Sequence, residues 1–172
     1  MGAMFAGLLF LSINVNIAGL CVTPDFIGYI LLAYGMKKVK GNEEPFRKRR
    51  NLPLYLIPVG MLDFAMLCIG LTSFITTVLF VAAKMSVLWA VASWAAMLEE
   101  ASEYDLGAGK LMSAWQIELI AYAAALVTVW LPLVSTAASI VVFIATIYYL
   151  AMFWRFRKNW TEDETERKEE TV

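Results

Sequence analysis

The sequence predicts an all-α transmembrane helical bundle, and three observations lead to this fold class. Hydrophobic residues make up 60% of the 172 residues and charged residues only 17%, whereas about a quarter of an average soluble domain is charged. The mean hydropathy is +0.67. The few charges are concentrated in short segments, so the stretches between them are long enough and apolar enough to cross a bilayer.

Six helices are expected, because a bilayer core of about 30 Å requires about 20 residues at about 1.5 Å per residue. The predicted spans cover residues 3–20, 24–39, 52–70, 74–98, 111–131 and 133–154. They define one transmembrane domain over residues 1–158. The polar residues 159–172 form a cytoplasmic tail that either extends the last helix or is disordered.

The first two segments differ in how clearly the sequence predicts a membrane span. The first has no charged residue and lacks the basic region of a signal peptide, so it is expected to be retained. The second is short, because only residues 26–36 are apolar without interruption. It is either a full span, with Lys37 and Lys38 reaching to the interface, or a re-entrant half-helix.

Basic residues predict the orientation of the spans. Half of the lysines and arginines follow the second span, namely Lys37, Lys38, Lys40, Arg47, Lys48, Arg49 and Arg50. The positive-inside rule places this segment in the cytoplasm, and six spans then put both termini there as well. A re-entrant second span would instead move the N-terminus outside. The last four of these residues are also candidates for binding anionic lipid headgroups, although their role in topology is a sufficient explanation of them.

The third and fourth spans each contain a single charged residue, Asp63 and Lys84. Residues 70–73 form the turn between these spans, and the two charges are symmetric about a point just after Ser73. In an antiparallel hairpin they would therefore lie at the same depth and pair. A charge near the centre of a span costs about 2.5–3.5 kcal/mol on insertion scales. The pair is either a salt bridge that fixes the register of the hairpin or part of a site for an ion, a proton or a substrate.

The fifth and sixth spans carry weaker polar signals. Glu118 is the only charged residue of the fifth span, and Ala121 and Ala125 on its face would let a neighbouring helix approach closely. Glu118 is either a hydrogen-bonded carboxyl that serves packing or a functional carboxyl. Asn16 in the first span and Ser139 in the last are further intramembrane polar candidates, and both are expected to serve mainly in helix packing.

The start of the second span has a distinctive sequence. Thr23 is a good N-cap, Pro24 suits the first helical position and Asp25 lies at the positive end of the helix dipole. Together with Asn14-Val15-Asn16, the motif Pro24-Asp25-Phe26-Ile27-Gly28-Tyr29 resembles a group of small, functionally uncharacterised multi-pass membrane proteins of Gram-positive bacteria. The resemblance implies a bacterial cytoplasmic membrane, and it supplies no activity and no functional residue.

Composition excludes several kinds of chemistry. The chain has no histidine and only two cysteines, and most hydrolytic triads, zinc sites and haem sites depend on these residues. We therefore expect no catalytic residue, no metal or other cofactor and no enzymatic activity. Nucleic-acid binding is not expected of a short basic loop beside a membrane.

Two kinds of function remain. The first is a non-enzymatic accessory or regulatory subunit that acts through helix packing with a membrane partner, and it is favoured because the spans carry few polar groups. The second is a small transporter or ion-coupled carrier, working as a homo-oligomer, that uses Asp63 and Lys84 and in one version Glu118. In both cases the lipid bilayer is itself a partner.

Overall fold

The computed structural model confirms the all-α class. It describes residues 1–12, 16–17, 20–21, 24–40, 44–71, 73–102 and 104–170, with the backbone alone at 16–17, 20–21, 40 and 163–170. Within these ranges there are six helices: α1 Gly2–Ser12, α2 Asp25–Lys40, α3 Phe46–Cys68, α4 Phe74–Ser102, α5 Ala108–Val127 and α6 Pro132–Glu170. The last four are long and apolar enough to cross a membrane, which fits an integral membrane protein.

The first predicted span, residues 3–20, is wrong in its extent. Helix α1 ends at Ser12, after about 16 Å. Beyond it, β1 (Asn16–Ile17) and β2 (Leu20–Cys21) pair as a two-residue antiparallel ladder, and β2 lies beside α3. The physical reason is local, because residues 12–17 alternate serine or asparagine with β-branched residues, and neither kind favours a helix interior.

The second and third helices follow the predicted spans with one difference. Helix α2 matches the predicted 24–39 within one residue at each end, whereas α3 begins at Phe46, six residues before the predicted 52. The basic residues 47–50 are therefore the first turn of a helix and not a loop. Lysine and arginine are good helix formers. Helix α3 therefore begins within this charged segment and not at the first apolar residue after it.

The remaining helices also differ from the predicted spans at their ends. Helix α4 continues to Ser102, and α5 ends at Val127, before the predicted 131. Thr128 closes α5, since its hydroxyl donates to the carbonyl oxygen of Ala124 at 2.8 Å. Helix α6 runs from Pro132 to Glu170 without a break, so the polar tail extends the last helix through that residue.

The chain divides into two compact units, Met1–Trp94 and Ala95–Val172. In the first, α1 packs antiparallel on α2 through glycines. A Cβ atom on Gly28 would lie 2.8 Å from the carbonyl oxygen of Gly7, and one on Gly35 would collide with Met4. Helix α2 packs on α3 in the same way, because a Cβ atom on Gly60 would lie 2.9 Å from the ring of Tyr29. These helices are in close contact because glycine lacks a side chain at each crossing.

The second unit contains the α5–α6 hairpin and the loop that leads into it. Alanines of α5 and aromatic residues of α6 are buried together with Glu118: Ala114, Ala121, Tyr149, Phe153 and Phe156. The carboxylate of Glu99 accepts a hydrogen bond from the backbone N–H of Ala108 at 2.8 Å, which caps the start of α5. Asn159 of α6 donates to the carbonyl oxygen of Leu106 at 3.2 Å. The acidic loop is thus tied to the helices on both sides.

Candidate functional site

Three ionisable side chains from three helices interact within the first unit. Asp25 is the first residue of α2, and its carboxylate is close enough to Lys84 of α4 and Asp63 of α3 for both charges to act on it. Lys84 attracts the negative charge of Asp25, and Asp63 repels it. All three side chains are half-buried. The structure therefore adds a second carboxylate to the predicted Asp63 and Lys84.

The register of the α3–α4 hairpin places Lys84 and Asp63 at different depths along the two helices. The last residue of α3, Cys68, and the first residue of α4, Phe74, are symmetric about Leu71. Further along, two ring contacts, Phe46 with Trp94 and Arg49 with Trp89, are symmetric about Gly70 and Ile69. Lys84 is thus level with residues 54–58 of α3, roughly 10 Å along the axis from Asp63. Side chains of a helix lean toward its N-terminal end, which for α4 is the end where Asp63 lies.

The contacts of the motif at the start of α2 hold this cluster in place. The ring of Phe26 meets the ring of Phe64 edge-on, with 6.1 Å between the ring centroids. Tyr29 is 2% exposed, packs against Gly60, and interacts electrostatically with both carboxylates of the cluster. The motif therefore supplies an acid of the cluster and the packing residues that bring α2 against α3.

Sequence reasoning missed Asp25 as a site residue, because an aspartate at the start of a helix is already explained by its favourable interaction with the helix dipole. Only the packing of α2 on α3 brings it near Asp63. The signal available in the sequence was the motif itself, since Asp25 and Tyr29 are one helical turn apart and so share a face.

Glu118 lies in the second unit and has a partner that the sequence did not identify. It is 1% exposed, and the hydroxyl of Thr146 in α6 donates to its Oε1 at 2.9 Å. Tyr149, three residues after Thr146, interacts electrostatically with it. The signal in the sequence was the spacing of Ser135, Ser139 and Thr146 at i, i+4 and i+11, which places these three hydroxyl groups on one face of α6.

We expect Thr146→Val to destabilise the protein by about 1–2 kcal/mol, because it removes the donor to a buried carboxyl and leaves the volume unchanged. Thr136→Val is the matched control, because the Thr136 hydroxyl is exposed and donates to Pro132 of its own helix at 2.9 Å. Thermal unfolding in detergent micelles, followed by circular dichroism, measures both. Equal effects would show that the bond to Glu118 contributes nothing of its own.

Of the two weaker polar candidates, only Ser139 has a described side chain. Ser139 is exposed on α6 and donates to the carbonyl oxygen of Ser135 at 2.9 Å, so its hydroxyl is satisfied within its own helix. Asn16 is part of β1, and its side chain lies outside the described residues.

The four lipid-headgroup candidates differ in their contacts. Arg47 forms an ion pair with Glu44, and Lys48 is exposed. The guanidinium of Arg49 lies over the ring of Trp89 at 4.1 Å from the ring centroid, in a cation–π arrangement. Arg50 donates from Nε and Nη2 to the side-chain oxygen of Asn51 at 3.1 and 3.0 Å. The four candidates thus lie in different environments.

No group of three or more cysteine, aspartate or glutamate side chains is arranged to hold a metal ion in the part of the chain that the structure describes. The carboxylates of Asp25 and Asp63 can bind a proton or a monovalent cation. Comparison of the chain with protein-family models, with curated proteins and with solved structures finds no match.

Proposed function

We propose that this protein is a small ion-coupled membrane carrier whose ion-binding site is the cluster of Asp25, Asp63 and Lys84. The observation that carries the proposal is the interaction of three ionisable side chains from three helices of a membrane protein. Such groups are costly within a bilayer and are typical of ion and proton pathways. The localisation that goes with this function is the bacterial cytoplasmic membrane, with the basic start of α3 on the cytoplasmic side.

The charge balance of the cluster favours ion binding over a purely structural role. A salt bridge that fixes helix register needs one acid and one base. Here two carboxylates accompany one ammonium group, so the cluster carries a formal charge of −1 when all three are ionised. A proton or a monovalent cation bound between the carboxylates would neutralise that charge. The buried phenol of Tyr29 supplies a hydroxyl close to both acids.

Ion flux into liposomes tests this proposal. The purified protein is reconstituted into vesicles that contain a fluorescent dye selective for protons, sodium or potassium, and a gradient of the same ion is imposed. We expect ion movement faster than in empty vesicles, and we expect Asp25→Asn and Asp63→Asn each to reduce it by about tenfold or more, as for loss of a charged ligand. Glu100→Gln removes an exposed carboxylate from the end of α4 and is expected to leave the flux unchanged.

Two results would contradict the proposal. The first is wild-type flux no greater than that of empty vesicles for all three ions. The second is equal flux in Asp25→Asn, Asp63→Asn and wild type, with all three proteins folded by circular dichroism. A variant that folds and loses flux separates a functional carboxylate from a structural one.

An accessory subunit is the second candidate function. One observation favours it: in the apolar part of each of the four long helices, only 11–33% of the residues are buried inside the chain. Most of the apolar surface of these helices is therefore available to lipid or to another membrane protein. An absence of flux, together with a stoichiometric second polypeptide in native mass spectra of the gently extracted protein, would select this function over the carrier.

A further inference from the structure

The first unit contains an open groove that the charged cluster does not use. It lies between the basic ends of α2 and α3, has a volume of about 290 Å³, and is lined by Ile30, Ala33, Tyr34, Lys37, Arg50 and Leu54. Its volume is close to the lower limit of pockets that enclose small molecules, about 300 Å³. The groove is therefore large enough for part of an elongated ligand.

Helical spacing explains how the groove forms. Its four residues from α2 follow an i, i+3, i+4, i+7 pattern and so share one face, and its two residues from α3 are one turn apart. Closer to the charged cluster, the two helices touch at Gly60. Toward their basic ends larger side chains replace this glycine contact, and a gap remains above Ala33, which is 4% exposed.

The groove is amphipathic along its length. Ile30 and Leu54 form apolar walls that are 45% and 42% exposed. Lys37, one turn beyond Ala33, and Arg50, one turn before Leu54, provide two cations at the same end. Two hydrogen bonds to Asn51 hold the guanidinium of Arg50 in position. An apolar length that ends in two cations complements a molecule with an acyl chain and an anionic headgroup.

We propose that this groove binds one anionic phospholipid. The phosphate of the headgroup lies between Lys37 and Arg50, where the ammonium and guanidinium charges attract its oxygens. One acyl chain runs along Ile30, Ala33 and Leu54. A phospholipid is the occupant that fits, because the cationic end of the groove is at the basic start of the candidate membrane span α3 and its apolar walls are exposed beside it.

Native mass spectrometry tests this assignment. The full chain is reconstituted into phosphatidylcholine nanodiscs with a minority of phosphatidylglycerol and then released, and the retained lipids are counted and identified. We expect the wild type to retain one phosphatidylglycerol. The double variant Lys37→Gln/Arg50→Gln should retain about tenfold less or lower still, since it removes charged hydrogen-bond donors to phosphate.

A matched control separates specific binding from general attraction. Lys38→Gln/Lys48→Gln removes the same amount of charge from exposed neighbours outside the groove, and we expect its retention to stay within about threefold of wild type. Leu54→Trp fills the apolar part and leaves both cations, so it should also release the lipid. If Leu54→Trp does not fold, as judged by circular dichroism, Ile30→Trp fills the groove from the α2 side.

Three outcomes would overturn the assignment. Equal losses in the two double variants would show diffuse attraction to the basic segment. Equal retention of phosphatidylcholine and phosphatidylglycerol would show that the cations do not select the headgroup. Dissociation of a dimer by Leu54→Trp, with no retained lipid in the wild type, would make the groove a contact between two copies of the chain.

Discussion

Lys84→Met is expected to destabilise the protein by about 3 kcal/mol. The substitution leaves Asp25 and Asp63, which already repel each other, without the cation that offsets this repulsion. Removal of one partner of a buried ion pair costs about 3–5 kcal/mol, and the low end of this range applies because these side chains are half-buried. Thermal unfolding of the purified protein in detergent micelles measures the loss.

Two double variants identify the carboxylate that Lys84 balances. The hairpin register places Asp63 roughly 10 Å along the axis from Lys84, whereas Lys84 acts electrostatically on Asp25 more strongly than Asp63 does. We therefore expect Asp25→Asn/Lys84→Met to recover about 1–2 kcal/mol relative to Lys84→Met alone. Asp63→Asn/Lys84→Met should recover less. Greater recovery with Asp63→Asn would make Asp63 the main partner and would contradict the register derived from the ring contacts.

Gly28→Ala is expected to destabilise the α1–α2 contact by about 1–3 kcal/mol, the usual cost of overpacking. The added methyl group would lie 2.8 Å from the carbonyl oxygen of Gly7 and 2.8 Å from Cγ of Leu11. A backbone carbonyl cannot rotate away as a flexible side chain can, so the two helices must separate. The measurement is again the unfolding transition in micelles.

Gly109→Ala is the matched control for Gly28→Ala. Gly109 is also helical, near the start of α5, and a Cβ atom there meets no atom within 4 Å. The same substitution should be neutral or stabilising by up to about 1 kcal/mol, because alanine is the better helix former. If both variants lose stability equally, the cost arises from backbone propensity and not from the contact between α1 and α2.

Gly28→Ala also tests the role of the motif at the start of α2. Within six residues this motif contains the acid of the charged cluster, Asp25, and the packing residues Phe26, Gly28 and Tyr29, which contact α1 or α3. A displaced α2 would move Asp25 away from Lys84. We therefore infer that the packing and the electrostatics of this unit depend on each other.

The all-α fold class and six helices within the described residues could be predicted from the sequence. These features follow from local properties, since apolar length is set by bilayer thickness and turns are set by glycine, proline and clustered charge. The extent of the first helix was wrong because apolar length dominated the prediction there. Serine and asparagine alternate with β-branched residues from Ser12 on, and their poor helix propensity fits a helix α1 that ends at Ser12.

Which polar groups come close together depends on the packing of the helices and could not be predicted from the sequence. Asp63, Lys84 and Glu118 are visible in the sequence as rare charges in apolar stretches, but Asp25 and Thr146 acquire their partners through helices distant in the chain. That proximity depends on how close α2 comes to α3 at Gly60 and α5 to α6, and on a hairpin register set by ring contacts. The spacing of residues along one chain does not determine these packing geometries, because each results from the fit of two helix surfaces.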